Sequence, residues 1–178
     1  MPQIFFKEHH ELNGTFYYSG TGREADGEFV PQGTGTLYRL DGTILYEGEW
    51  KDGSFCGQGR FYQEDGGLLY EGEFQDGGFC GQGREYARDG ILIYEGAFQD
   101  SYFCGQGRLY SADGSLRYEG GFENGDYSGQ GRLYHENGSL RYEGAFQCGS
   151  YCGQGREYSE DGVLIYEGEF QDGSPVGL

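Results

Sequence analysis

Basic side chains are scarce: twelve lysines and arginines stand against thirty aspartates and glutamates, for a formal net charge of −18. A nucleic-acid binder needs cations to neutralise phosphate, and docking on anionic lipid needs them too, so this balance argues against both. Proline is rarer, at 3 residues, and the 37 glycines do not recur at every third position, which excludes a collagen-like chain. Aliphatic residues are few, and no apolar run approaches the length that spans a membrane. The start of the chain carries Lys7, Glu8, His9, His10 and Glu11 and lacks the apolar segment of a secretory signal. A soluble, cytoplasmic protein is therefore expected. There is no Cys-x-x-Cys pair of the kind a zinc site uses.

Aromatic residues and a strict period are what the chain has instead. Tyr (17) and Phe (13) dominate the apolar set, and they argue against disorder despite the charge. Tyr46-Glu47-Gly48 returns at Tyr70, Tyr94, Tyr118, Tyr142 and Tyr166, every 24 residues without a slip. A period of this length marks a repeat architecture, whose units offer a long surface more often than a catalytic centre. Asp-Gly or Asn-Gly turn signals recur at two places in the repeat, at Asp52-Gly53 and Asp65-Gly66 in the first complete copy. Read as two-residue loops with positive φ at both residues, they make each repeat two short antiparallel strands. The first turn then sets Trp50 opposite Phe55, Gly48 opposite Gly57 and Tyr46 opposite Gly59. The second sets Phe61 opposite Tyr70, Gly59 opposite Gly72 and Gly57 opposite Phe74.

One face of such a sheet carries the rings and the glycines, which leave troughs for Tyr and Phe to lie in. The other carries Glu47, Gln58, Arg60 and Tyr62 and their repeats. Arg60, Arg84, Arg108, Arg132 and Arg156 are each expected opposite a Glu of the next repeat, as Arg60 is opposite Glu71. Upstream, Tyr18-Ser19-Gly20 is a diverged Tyr-Glu-Gly lying 28 residues before Tyr46, so four residues are inserted within 23–31. Residues 4–18, with Asn13-Gly14, read as an irregular first hairpin. Residues 1–45 are thus expected to be diverged capping repeats and 46–178 one continuous run of regular ones.

Chemistry finds little footing. Cys56, Cys80, Cys104 and Cys152 share one repeat position, two strands or about 9.5 Å apart, too far for disulfides, and read as reduced thiols beside Cys148. His9, His10 and His135 have no nucleophile partner, and Gly-Gln-Gly-Arg has no helix after it to make a phosphate loop. No catalytic residue, metal ligand or cofactor is expected.

Residues 46–62, Tyr-Glu-Gly-Glu-Trp-Lys-Asp-Gly-x-x-x-Gly-Gln-Gly-Arg-Phe-Tyr, resemble the MORN repeat, well over 46–178 and loosely over 15–45. The 24-residue form with its second Asp-Gly looks like versions common in bacterial proteins. The resemblance implies an all-β fold, an elongated single-layer twisted antiparallel sheet of tandem hairpins with about 14 strands. It implies a non-enzymatic scaffold that binds a protein or peptide, here a basic one by charge. Alternatives are an immunity or antitoxin-type inhibitor of a basic toxin, and a self-assembling or membrane-associated protein. Lipid binding transfers poorly, because the fifth repeat position is Lys51 once and then Gln75, Gln99, Glu123, Gln147 and Gln171. The expected partner-facing anchors are Trp50, Tyr70, Phe74, Tyr94, Phe98, Tyr118 and Phe122. The last strand, Tyr166 to Phe170, leaves an edge through which two copies can pair.

Overall fold

Trp50-Lys51-Asp52-Gly53-Ser54-Phe55 shows how a repeat begins. Asp52 and Gly53 both adopt positive φ, 49° and 82°, as a type I′ turn requires. Lys51 then pairs with Ser54, Trp50 with Phe55 and Glu49 with Cys56. The same turn forms at Asp76, Asn124, Cys148 and Asp172 with their glycines, and at Asp100-Ser101 without one.

A computed structural model describes the backbone of residues 5–12 and the whole of residues 16–177. The Asn13-Gly14 turn and the side chains of His9 and His10 lie outside the described residues. The chain divides into two compact units, residues 1–90 and 91–178. The first holds β1 (Phe5–Leu12), β2 (Phe16–Ala25), β3 (Glu28–Arg39), β4 (Ile44–Lys51), β5 (Ser54–Tyr62), β6 (Leu68–Gln75) and β7 (Gly78–Tyr86). The second holds β8 (Leu92–Gln99), β9 (Tyr102–Tyr110), β10 (Leu116–Glu123), β11 (Asp126–Tyr134), β12 (Leu140–Gln147), β13 (Ser150–Tyr158), β14 (Leu164–Gln171) and the two-residue β15 (Ser174–Pro175). Within each unit every strand pairs antiparallel with its chain neighbour, and there is no helix among the described residues. The expected all-β architecture of consecutive hairpins is the observed one.

The register departs from two-residue loops in two ways. Past Glu49–Cys56 the ladder skips Gly57 and Gln58, so that Gly48 faces Gly59 and Tyr46 faces Phe61, not Gly57 and Gly59 as expected. Gly57 takes φ 55°, a left-handed conformation that favours glycine, and Gly81, Gly105 and Gly153 repeat it. The second turn is not type I′ either. Asp65 keeps negative φ, and only Gly66 is positive, at 86°. The Gln63 and Gly67 backbones are bonded across a three-residue loop, and the Asp65 carboxylate accepts from the Gly67 N–H at 3.1 Å. Leu69 then bulges out, which restores the pairs Phe61–Tyr70, Gly59–Gly72 and Gly57–Phe74. Those pairs are the expected ones, reached by a longer loop and a compensating bulge. The insertion within 23–31 also takes shape: Glu24 pairs with Phe29 and Arg23 with Val30, lengthening both strands of that hairpin around an Asp26-Gly27 turn.

A sheet with no second layer over it must bury its apolar side with its own side chains. Tyr18, Tyr46, Tyr70, Tyr94, Tyr118 and Tyr142 are all 0 % exposed. Each ring lies over a facing glycine pair, such as Gly120 and Gly131 under Tyr118, as the trough reading expects. Its hydroxyl donates to the carbonyl three residues on, Tyr118 to Gly121 at 2.9 Å and Tyr46 to Glu49 at 2.8 Å. A second ring stacks on the tyrosine, Tyr118 on Tyr127 with centroids 3.9 Å apart. Two more meet it edge-on, Phe122 and Phe146 at 5.1 Å. Offset and edge-on pairs each add about 0.5–1.5 kcal/mol beyond burial, so the aromatic excess is what closes the core.

Candidate binding surface

Rings on one side and charges on the other follow from the alternation of each strand. On the charged side Arg60 reaches Glu47 in its own repeat and Glu71 in the next, both at 3.4 Å. The Arg60–Glu71 contact is the expected one; the Arg60–Glu47 contact exists because the Gly57-Gln58 bulge moves Arg60 opposite Glu47. In residues 91–178 the row runs Glu95, Arg108, Glu119, Arg132, Glu143, Arg156 and Glu167. Tyrosine joins it: the Tyr134 phenol donates to Glu119 at 2.8 Å. That phenol, then the guanidiniums of Arg132 and Arg108, hold Glu119 below the usual carboxylate range. The arginines are about half exposed, so each pair is worth at most about 1 kcal/mol. This face is a saturated network whose members are committed to one another.

Trp50, Tyr70, Phe74, Tyr94, Phe98, Tyr118 and Phe122 all stand on the opposite side, and all are buried, between 0 and 5 % exposed. They form the inner rank of rings. The accessible part of this side is an outer rank: Phe55, Phe79, Phe103, Tyr127 and Tyr151, with Phe61, Leu109 and Leu133 beside them, all half-buried. Sequence reasoning passed over this rank because it expected the bulge residues Gly57 and Gln58 to be paired, which misplaces Tyr46 relative to Phe61.

Two further residues reach this side. The bulge position held by Leu69 and Ile93 is Arg117 and then Arg141 in the following repeats, both exposed. Arg141 lines an open notch of about 280 Å³ with Tyr127, Leu133, Phe146, Ser150 and Tyr151. Arg117 acts electrostatically on Tyr127, as Arg141 does on Tyr151. Among the described residues neither arginine joins the ion pairs that occupy Arg23, Arg60, Arg84, Arg88, Arg108, Arg132 and Arg156. The sequence signal was a change of residue type at one repeat position, and it carried no direction until the bulge was seen.

The remaining candidates are structural. His135 holds the Tyr158 carbonyl at 2.9 Å, bracing a turn against the next hairpin. All five cysteines are free thiols, with Cys148 exposed. Burial pushes the Cys56 and Cys80 thiols up, away from nucleophilic reactivity. Among the described residues no three His, Cys, Asp or Glu side chains are grouped as a metal site would need.

Comparison with known proteins bears on the repeat itself. A family model described as the MORN repeat matches residues 46–68, 70–91, 94–116 and 118–140, and a MORN repeat variant matches 151–172. Together these cover more than half of the chain. No curated protein matches it.

Proposed function

The chain belongs to the MORN-repeat family, and from that premise we propose that it is a non-enzymatic interaction module taking a protein or peptide partner along its aromatic side. Repeats of this family are commonly protein-interaction or membrane-binding modules, and generally not enzymes. The observation that carries the choice of side is the outer rank of half-buried rings resting on a fully packed inner rank. Such rings are already ordered, so a partner can cover them at little entropic cost. On the opposite face the central row from Glu47 and Arg60 to Arg156 and Glu167 is already paired within itself. A net charge of −18 speaks against docking on an anionic membrane.

Photo-crosslinking tests the reading. Benzoylphenylalanine is placed at Phe103 or Leu109 on the aromatic side and at Tyr110 or Tyr134 on the charged side, in the native cell. Partner adducts are expected from the first pair of positions. Adducts confined to the second pair would overturn the proposal.

A separate observation favours pairing of two copies through β14. Val163, Leu164 and Ile165 are 63, 46 and 61 % exposed, whereas Leu68, Leu92, Leu116 and Leu140 are half-buried. Among the described residues the outer edge of β14 is covered at its end, by β15 opposite Phe170 and Gln171 and by the Val176 N–H donating to the Glu169 carbonyl at 2.9 Å, and is otherwise open. Two such edges, related by a two-fold, would cover the aliphatic patch. Light scattering is expected to give a dimer mass that falls to the monomer in Val163→Lys/Ile165→Lys. A monomeric parent at high concentration, or an unchanged dimer in the variant, would sink this pairing.

A further inference from the structure

Two repeats differ from the rest on the aromatic side, and in the same two ways. The outer-rank ring is Phe at 55, 79 and 103 but Tyr at 127 and 151. The bulge residue is Leu or Ile at 69, 93 and 165 but Arg at 117 and 141. Each new arginine acts electrostatically on a new phenol, Arg117 on Tyr127 and Arg141 on Tyr151. The open notch in residues 91–178 includes both tyrosines and Arg141. Among the described residues these phenols make no side-chain hydrogen bond, unlike the inner-rank hydroxyls of Tyr118 and Tyr142, which are bonded to carbonyls. Burial raises both outer phenols, so they remain neutral donors near pH 7.

We propose that Arg117–Tyr127 and Arg141–Tyr151 are two carboxylate anchors for an acidic partner segment in polyproline II conformation, with its acids at positions i and i+3. The proposal rests on the aromatic side being the docking surface and names the chemistry of what docks there. Charge complementarity selects the acid: unpaired guanidiniums beside free phenolic donors bind a carboxylate through charged, bidentate bonds. Geometry selects the conformation. Equivalent positions in successive repeats are two strands apart, about 9.6 Å. A polyproline II helix rises about 3.1 Å per residue with three residues per turn, so its i and i+3 side chains share one face about 9.3 Å apart. A β-strand would turn those two side chains to opposite sides. The half-buried rings of Tyr127 and Tyr151 along the notch suit such a helix, since its proline rings pack on aromatic faces. Glu157, beside Tyr142 and Tyr166 on the same side, opposes the anion from the next repeat.

The test titrates the full chain against three labelled peptides of one composition class, with Glu-Pro-Pro-Glu, Gln-Pro-Pro-Gln or Glu-Glu-Pro-Pro at the centre. The first is expected to bind about tenfold or more tighter than the others. Arg117→Leu and Arg141→Ile, which install residue types already present at 69 and 93, are expected to remove that preference while leaving the circular dichroism unchanged. Glu157→Leu, the residue type at 109 and 133, is expected to tighten binding. Equal affinity for the three peptides, no binding of any, or a preference that survives both arginine changes would overturn the anchors. If partner crosslinks at Phe103 persist in the double arginine variant, the aromatic side remains the docking surface and only the carboxylate anchors fall. If those crosslinks never form, the docking surface falls, and the peptide titration still decides the anchors.

Discussion

Gly131→Ala is expected to destabilise the protein about as much as deleting the Tyr118 side chain. An alanine Cβ at Gly131 would lie 2.3 Å from the Tyr118 hydroxyl oxygen and 2.6 Å from two of its ring carbons. The ring cannot step aside. It is stacked on Tyr127 at 3.9 Å, flanked edge-on by Phe122 and Phe146, and its hydroxyl is bonded to the Gly121 carbonyl. The methyl group and the ring therefore exclude each other, and one native contact set must be given up. Losing a buried aromatic side chain costs about 3–5 kcal/mol, and the same loss is expected from Tyr118→Ala. Gly138→Ala is the informative control. It is the same chemical change one turn away, with no atom within 4 Å of the added carbon and a φ of 81°. Only left-handed strain applies there, about 1–2 kcal/mol. Urea denaturation of the three variants checks the ordering. A Gly131→Ala cost no larger than that of Gly138→Ala would show that the glycine troughs are not what holds the tyrosines.

How far the sequence could be read depended on whether a feature is local. The 24-residue period, the Asp52-Gly53 type of turn and the pairing of Arg60 with Glu71 all follow from residues near one another or from simple alternation, and each is observed. The Asp65-Gly66 turn is the same dipeptide with a different structure. There the aspartate uses its side chain to hold the Gly67 N–H, so positive φ is needed only at the glycine. A dipeptide cannot announce which of these two it will do, because the flanking strands decide the loop length. The bulges were hidden for a related reason. Gly57 reads equally well as a residue that makes room for a ring and as one that takes φ 55°, and the structure uses it for the second. That ambiguity displaced Tyr46 by two residues and hid the Arg60–Glu47 contact, while the second bulge, which offsets the three-residue loop, left Arg117 and Arg141 without an assigned side.

The aromatic side was legible to the level of the face but not of the rank. Alternation puts Tyr118, Phe122 and Tyr127 on one side, and nothing in their spacing says that the first two are 0 and 5 % exposed while the third is half-buried. Burial here is decided by which ring lies down over a glycine and which stacks on top. The inner rank is therefore constrained by its own packing, and variation between repeats concentrates where packing tolerates it, at the outer ring and the bulge. Those are the positions at which Tyr127, Tyr151, Arg117 and Arg141 depart from the common pattern.

Alkali is expected to unfold each unit cooperatively, with its inner tyrosines ionising together. Burial pushes Tyr18 and Tyr142 up to about 12, and Tyr46, Tyr70, Tyr94 and Tyr118 are raised further by the same cause. The ordinary value is 10.0, so the folded chain holds these protons more tightly than the unfolded chain. The contribution to stability is therefore complete below pH 10 and is lost as pH rises from 10 through the folded values. Each such group withdraws about 1.4 kcal/mol per pH unit. With three in residues 1–90 and three in residues 91–178, the loss is about 4 kcal/mol per unit of the fold and per pH unit. A 90-residue unit has about 4–13 kcal/mol to lose, so a unit at the low end of that range is expected to unfold near pH 11 and one at the high end near pH 13. Tyrosinate absorbance and far-ultraviolet circular dichroism should then change in the same step. Tyr118→Phe with Tyr142→Phe leaves one buried inner phenol in residues 91–178, and hydrogen exchange there should depend less steeply on pH above 10. A smooth phenol titration with the strand signal intact to about pH 13 would mean that the tyrosines are not held in the closed troughs described above.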